Sequence, residues 1–195
     1  MSSHHIVREK QEPALLIMSL THFPAESLGQ ILEWSPTIVV IESVYELADS
    51  MGIKIDGVIT SDPNFCAQEH THLILGDTDP LEDALKYLVA QQYPAVNIID
   101  DHFSLKDYAL FVDLIDLVIF NPDFKNGSGG RKIFPVKPGF SKWKAAGEHI
   151  YLMHEVHKLQ VLGLNPIHPT ALETEKDGFY ILNFDQPFIF IAEEI

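Results

Sequence analysis

Short, nearly continuous apolar runs recur through the first two thirds of the chain, each followed by turn residues and then by a helical repeat. Strands are predicted at Ala14–Ser19, Thr37–Ile41, Gly57–Thr60, His72–Leu75, Ala95–Ile99 and Leu117–Phe120. Apolar runs without polar alternation suit a parallel sheet whose two faces are covered by helices. Between the runs, Ser43-Val-Tyr-Glu46 reads as a capping box, with Gly52 placed to stop the helix. Asp79-Pro-Leu-Glu82 opens another helix, with proline at the first helical position. Leu81, Ala84, Leu85 and Leu88 then share one face. Ser104 to Asp107 opens a third helix striped by Leu105, Tyr108, Ala109 and Val112, and Glu26–Trp34 is a shorter fourth. This alternation predicts an α/β domain.

The pattern changes at the glycine-rich stretch Lys125 to Arg131. Beyond it come short runs at Lys132–Val136, His149–Val156, Gln160–Leu162, Phe179–Asn183 and Phe188–Ala192, which predict a small all-β unit of about 65 residues. Asp177-Gly178 before Phe179 reads as a hairpin turn. The expected division is an α/β domain over 1–127 and an all-β domain over 128–195.

Composition narrows the function classes. Thirteen lysines and arginines against 28 acids leave a formal charge of −15, which disfavours nucleic-acid binding. No apolar run reaches 18 residues, and the first residues lack the order of a signal peptide, so a cytoplasmic protein with no membrane span is expected. The single cysteine, Cys66, forms no internal disulfide and is expected to be at least half buried.

The candidate chemistry is acidic. Ligands of open α/β sheets bind beyond the carboxyl ends of the strands. There the sequence places Glu42, Asp62, Asp77, Asp79, Asp100, Asp101 and Asp123. Oxygen ligands of this kind suit Mg²⁺, while turn and capping chemistry accounts for the same residues without a metal. His70 with His72, and His154 with His157, are incomplete as metal sites. Trp143, with Phe140 and Lys142, is expected in a core or an interface.

Seven blocks stand out: Ser2-Ser-His-His-Ile-Val-Arg-Glu9, Gln11-Glu-Pro-Ala-Leu15, Leu32-Glu-Trp-Ser-Pro-Thr37 and Gly52-Ile-Lys-Ile-Asp56, followed by Leu81-Glu-Asp-Ala-Leu85, Tyr93-Pro-Ala-Val-Asn-Ile98 and Lys176-Asp-Gly-Phe179. In these blocks the sequence resembles the thiamine pyrophosphokinase family of the Bacteroidetes type. The resemblance covers nearly the whole chain. It implies an N-terminal three-layer α/β/α domain with a mostly parallel sheet, a small C-terminal β-sandwich that binds thiamine, and a homodimer with composite active sites. In that family ATP, assisted by Mg²⁺, donates pyrophosphate to the hydroxyl of thiamine.

The family's chemical motifs match less well than its framework. Its Asp-Gly-(Gly/Ala) stands here as Glu42-Ser-Val44, and its Gly-Asp-Phe-Asp as Thr60-Ser-Asp-Pro63. Its Gln-Asp-x-Thr-Asp reads Gly76-Asp-Thr-Asp-Pro80, where a one-residue slide lets Asp79 stand in for the last acid. Gly-x-Arg-x-Asp-His reads Phe103-Ser-Leu-Lys-Asp-Tyr108, so Leu105 replaces an arginine fork suited to a triphosphate. Ser-Asn-Glu reads Ala171-Leu-Glu173.

What the resemblance leaves is therefore Asp77 and Asp107 as vestigial catalytic residues and Asp62 and Asp79 toward the nucleotide. Asp62, Asp77 and Asp79 would hold Mg²⁺, and Glu173 would meet a thiamine-like cation. Losing one preorganised donor at a developing charge costs roughly 3–4 kcal/mol. The expectation is a family homologue with lost or strongly reduced transfer; the alternative is an active, divergent kinase using Mg²⁺ and ATP. Leu105, Phe111 and Leu172 are expected to fill the vacated cleft.

Overall fold

The computed structural model describes residues 12–77, 79–122 and 130–195. It is a mixed α/β structure with two compact units, residues 1–117 and 118–195. The expected boundary at 127/128 lies outside the described residues.

In the first unit, β1 (Ala14–Ile17), β2 (Ile38–Ile41), β3 (Gly57–Thr60), β4 (His72–Leu75) and β5 (Ala95–Ile99) lie in the order β5-β1-β2-β3-β4. Each neighbouring pair is parallel. All four residues of β1 are fully buried, which explains its unbroken apolar run. The helices are α1 (Ala25–Leu32), α2 (Glu42–Ser50), α3 (Pro80–Ala90) and α4 (Leu105–Ala109). Leu81, Ala84, Leu85 and Leu88 form the buried stripe of α3, and its cap is the expected one: Asp79 accepts from the amides of Leu81 and Glu82. The capping box at Ser43 is not used. α2 begins two residues earlier, with Ile41 at the cap position and no side-chain cap. The chain leaves β2 extended and turns directly into the helix, so Ser43 is already helical and its hydroxyl is past the cap position.

β6 (Asp116–Asn121) runs across the division between the units, and its later residues pair with β7 (Arg131–Val136). The second unit holds two antiparallel sheets. In one, β14 (Ile189–Glu194) lies between β7 and β9 (His149–Leu152), followed outward from β9 by β12 (Ala171–Thr174) and β11 (Leu164–His168). The other has the order β10 (Gln160–Leu162), β13 (Gly178–Asn183), β8 (Phe140–Lys144). Ile150, Leu164, Leu172 and Ile191 of the first sheet share one core with Tyr180 and Leu182 of the second. Leu172 is thus part of this core, Phe111 is buried in the first unit and Leu105 is half-buried.

Two turn readings are corrected here. Asp177-Gly178 does not close a hairpin, because β12 pairs with β9 and β11 while β13 pairs with β8 and β10. The chain changes sheets at that turn. It also changes sheets at Gly163, between β10 and β11, where φ is +74° and a Cβ would come within 2.9 Å of the Phe179 carbonyl oxygen. The predicted strand to Val156 ends at Leu152, so His154 and His157 are not strand residues.

Candidate acidic site of the first unit

The carboxyl ends of β2, β3 and β4 open into a cavity of about 550 Å³ lined by Glu42, Glu46, Thr60, Phe65, Asp77 and Asp83, among others. Thr60 is buried at the end of β3 and links three segments. Its hydroxyl donates to Glu42 Oε2 at 2.5 Å and accepts from the amide of Asp62 at 3.0 Å. Phe65 is held by Tyr45 of α2, with ring centroids 5.1 Å apart and edges to face. The Tyr45 oxygen accepts from the Gln68 amide at 2.6 Å, which anchors the β3–β4 loop to α2. Gly76 leaves room for the Asp83 carboxylate, which would have to turn aside if a Cβ stood there.

Among the described residues four of the lining side chains are carboxylates, and none is a lysine or arginine. Glu42 occupies the first turn of α2, where the helix dipole favours negative charge and where a phosphate would otherwise be welcome. Bringing a phosphate oxygen within about 4 Å of a carboxylate with no cation between them costs about 4 kcal/mol at an effective dielectric of 20. The residues present therefore do not fit an ATP polyphosphate. They have the oxygen chemistry that Mg²⁺ takes, but among the described residues no three acids, histidines or cysteines are arranged to hold a metal ion.

The other sequence candidates have local roles. Asp62 Oδ1 accepts from the Asn64 amide at 2.8 Å, and Asp79 caps α3. Asp107 is exposed in the first turn of α4. Asp123 lies outside the described residues. Cys66 is exposed rather than buried, on the β3–β4 loop, where no core forms around it.

A second group collects where β1 and β5 end, the point at which the strand order reverses. Ser19 donates to Asp101 Oδ2, and His22 Nδ1 lies 3.5 Å from the same oxygen. Asp101 Oδ1 is buried without a hydrogen-bond partner among the described residues. Beside it, Asp100 Oδ1 accepts from the His102 amide and Oδ2 from the hydroxyl of Tyr108. Burial, then the charge of Asp100, pushes the Tyr108 hydroxyl far above the ordinary tyrosine range. Sequence reading flagged the two aspartates but missed Ser19 and His22, whose partner lies about eighty positions away.

In the second unit, Glu173 stands opposite His149 in the β12–β9 register, with its Oε1 3.5 Å from His149 Nε2. Glu194 Oε1 accepts from Tyr151 at 2.6 Å and lies 3.3 Å from His149 Nδ1, and the Arg131 guanidinium sits 4.3 Å above the Tyr151 ring. The Tyr151 hydrogen bond, then His149, holds the Glu194 carboxyl below its usual range. Trp143 is exposed, contrary to a core position, and faces exposed Phe179 directly across β8 and β13. His154 is held by backbone, accepting the Phe190 amide at Nε2.

No family model and no curated protein matches the sequence. Solved structures do match its fold. The thiamine pyrophosphokinase of Bacillus subtilis aligns with a TM-score of 0.66 at 11% identity, over 94% of this chain and 99% of that one. The thiamin pyrophosphokinase of Geobacillus thermodenitrificans gives 0.65 at 9%, over 93% and 96%. A probable thiamine pyrophosphokinase of Staphylococcus saprophyticus gives 0.65 at 10%, over 94% and 98%. The chain shares the fold of these proteins over 93–94% of its length. Among the described residues no helix is long and apolar enough to cross a membrane.

Proposed function

We propose that this protein is a homologue of the thiamine pyrophosphokinases in which pyrophosphoryl transfer from ATP to thiamine is lost or strongly reduced. The observation that carries this reading is the cavity at the ends of β2, β3 and β4, whose lining among the described residues has four carboxylates and no basic side chain. Leu105, in place of the family's arginine, supports the same reading, since it offers no donor to a phosphate. On the second unit, Glu173 and Glu194 beside Tyr151 have the chemistry to receive a small thiamine-like cation. We place the protein in the cytoplasm as a homodimer. The exposed apolar face of β10, β13 and β8, with Leu162, Phe179 and Trp143, supports the homodimer.

The alternative, an active and divergent kinase, draws on Asp77 and Asp83 lining one cavity with Glu42, carboxylates whose oxygen chemistry suits Mg²⁺ only if substrate phosphates complete the ligand set. In that reading Asp62 and Asp79 join the metal and nucleotide and Asp107 joins the catalysis. Assay of thiamine diphosphate formation with Mg-ATP and thiamine decides between them. The expected product does not exceed the enzyme-free control, and robust turnover overturns the proposal.

A further inference from the structure

Along β7 the side chains facing the core run Val136, Phe134, Lys132, so one end of the space between the two sheets is charged. Lys142 and Lys144 reach the same place from β8. Lys142 Nζ donates to both oxygens of Glu193, at 2.8 and 2.7 Å. Lys144 Nζ lies 3.5 Å from Glu193 Oε2 and donates to Glu148. Glu193 is only 6% exposed, and the buried Tyr180 hydroxyl has no hydrogen-bond partner among the described residues.

Three ammonium groups therefore meet two carboxylates, and the odd one is Lys132. It has no carboxylate within ion-pair distance among the described residues. Its Nζ lies 6.0 Å from the centroid of the Phe120 ring, and the residue is half-buried. We propose that the Lys132 amine is a nucleophilic modification site that accepts an acyl group from small acyl phosphates.

The Nζ lone pair attacks the carbonyl carbon, the carbon–oxygen bond to phosphate breaks, and phosphate leaves with the electron pair. The amine loses its proton to solvent and a neutral amide remains. The amide removes the surplus positive charge, leaving Lys142 and Lys144 balanced by Glu193 and Glu148. Burial, and then Lys142 and Lys144 against the opposing charge of Glu193, hold the Lys132 ammonium below the usual lysine range. More of it is then the reactive free amine near neutral pH. With Lys132 protonated the cluster has one positive charge more than its two carboxylates balance, and this local excess draws an anionic donor to a chain that otherwise repels anions.

The test is timed acetylation of the whole protein by acetyl phosphate near neutral pH, with each lysine quantified by peptide mass spectrometry. Lys106 and Lys176, both exposed, are the internal references. Lys132 is expected to react about fivefold faster than either, with a rate that levels off at lower pH than theirs. Equal or slower labelling of Lys132 overturns the proposal, as does a rate that rises with pH in step with the references. A parallel run with the neutral donor p-nitrophenyl acetate checks the donor class. Preference for Lys132 in that run but not with acetyl phosphate overturns the assignment to acyl phosphates.

Discussion

The hydroxyl of Tyr108 donates to Asp100 Oδ2 at 2.6 Å inside the protein, tying α4 to the end of β5. The pair sits beside Ser19, His22 and Asp101 and fixes the backbone from which Asp101 projects. Tyr108→Phe removes a donor from a carboxylate that is itself only 7% exposed. The expected loss is about 1–3 kcal/mol, read as a lower urea midpoint at unchanged slope.

The same hydroxyl makes stability sensitive to alkali. Tyr108 and Tyr180 both have hydroxyls raised above the ordinary range, in each case first by burial. A raised folded value means the contribution is whole below the unfolded tyrosine value of about 10 and declines as pH climbs past it. The melting temperature is therefore expected to fall above about pH 10, and less steeply in Tyr108→Phe. Ultraviolet titration should find at least one tyrosine that ionises only on unfolding.

Asp79 separates capping from nucleotide binding. Asp79→Ala loses both hydrogen bonds to the first turn of α3 and should cost about 1 kcal/mol. Asp79→Ser keeps a cap and should recover most of that stability in chemical denaturation. Were Asp79 a nucleotide ligand instead, serine would restore stability while any Mg-ATP response in calorimetry stayed lost.

Glu46 tests the electrostatics of the cavity. It lines the cavity from α2 and is exposed, so Glu46→Lys changes the local charge by two without disturbing a core. Pyrophosphate affinity by calorimetry is expected to rise roughly fivefold at low salt and to lose that gain as salt is added. No change would remove the argument that carboxylate charge keeps polyphosphate out.

Much of the first unit was legible because its strands are simple. Gly57–Thr60, His72–Leu75 and Ala95–Ile99 are found at the predicted residues, short runs in which aliphatic side chains predominate. The second unit was harder to read for a physical reason. β8 points Lys142 and Lys144 inward and Trp143 outward, so hydrophobicity marks the wrong face, and β8 was not predicted. β11 carries Pro166 on an edge of its sheet, a position where proline is tolerated but which disguises the strand. In the site, Glu42 and Asp77 announced themselves by following strands. Asp83 and Phe65 did not, since only the fold turns α3 and the β3–β4 loop toward the same cavity.

The placement of β14 bears on how the protein is made. Its residues Ile189–Glu194 wedge between β7 and β9, pairing with Arg131–Val136 on one side and with Tyr151 and Leu152 on the other. While a ribosome is still extending the chain, β7 on one side and the β9–β12–β11 ribbon on the other have nothing to join them. The first unit can fold as it emerges, whereas the second must wait for its last strand to be synthesised. A nascent chain stalled before Ile189 would present two open sheet edges, the state in which a chaperone would find it.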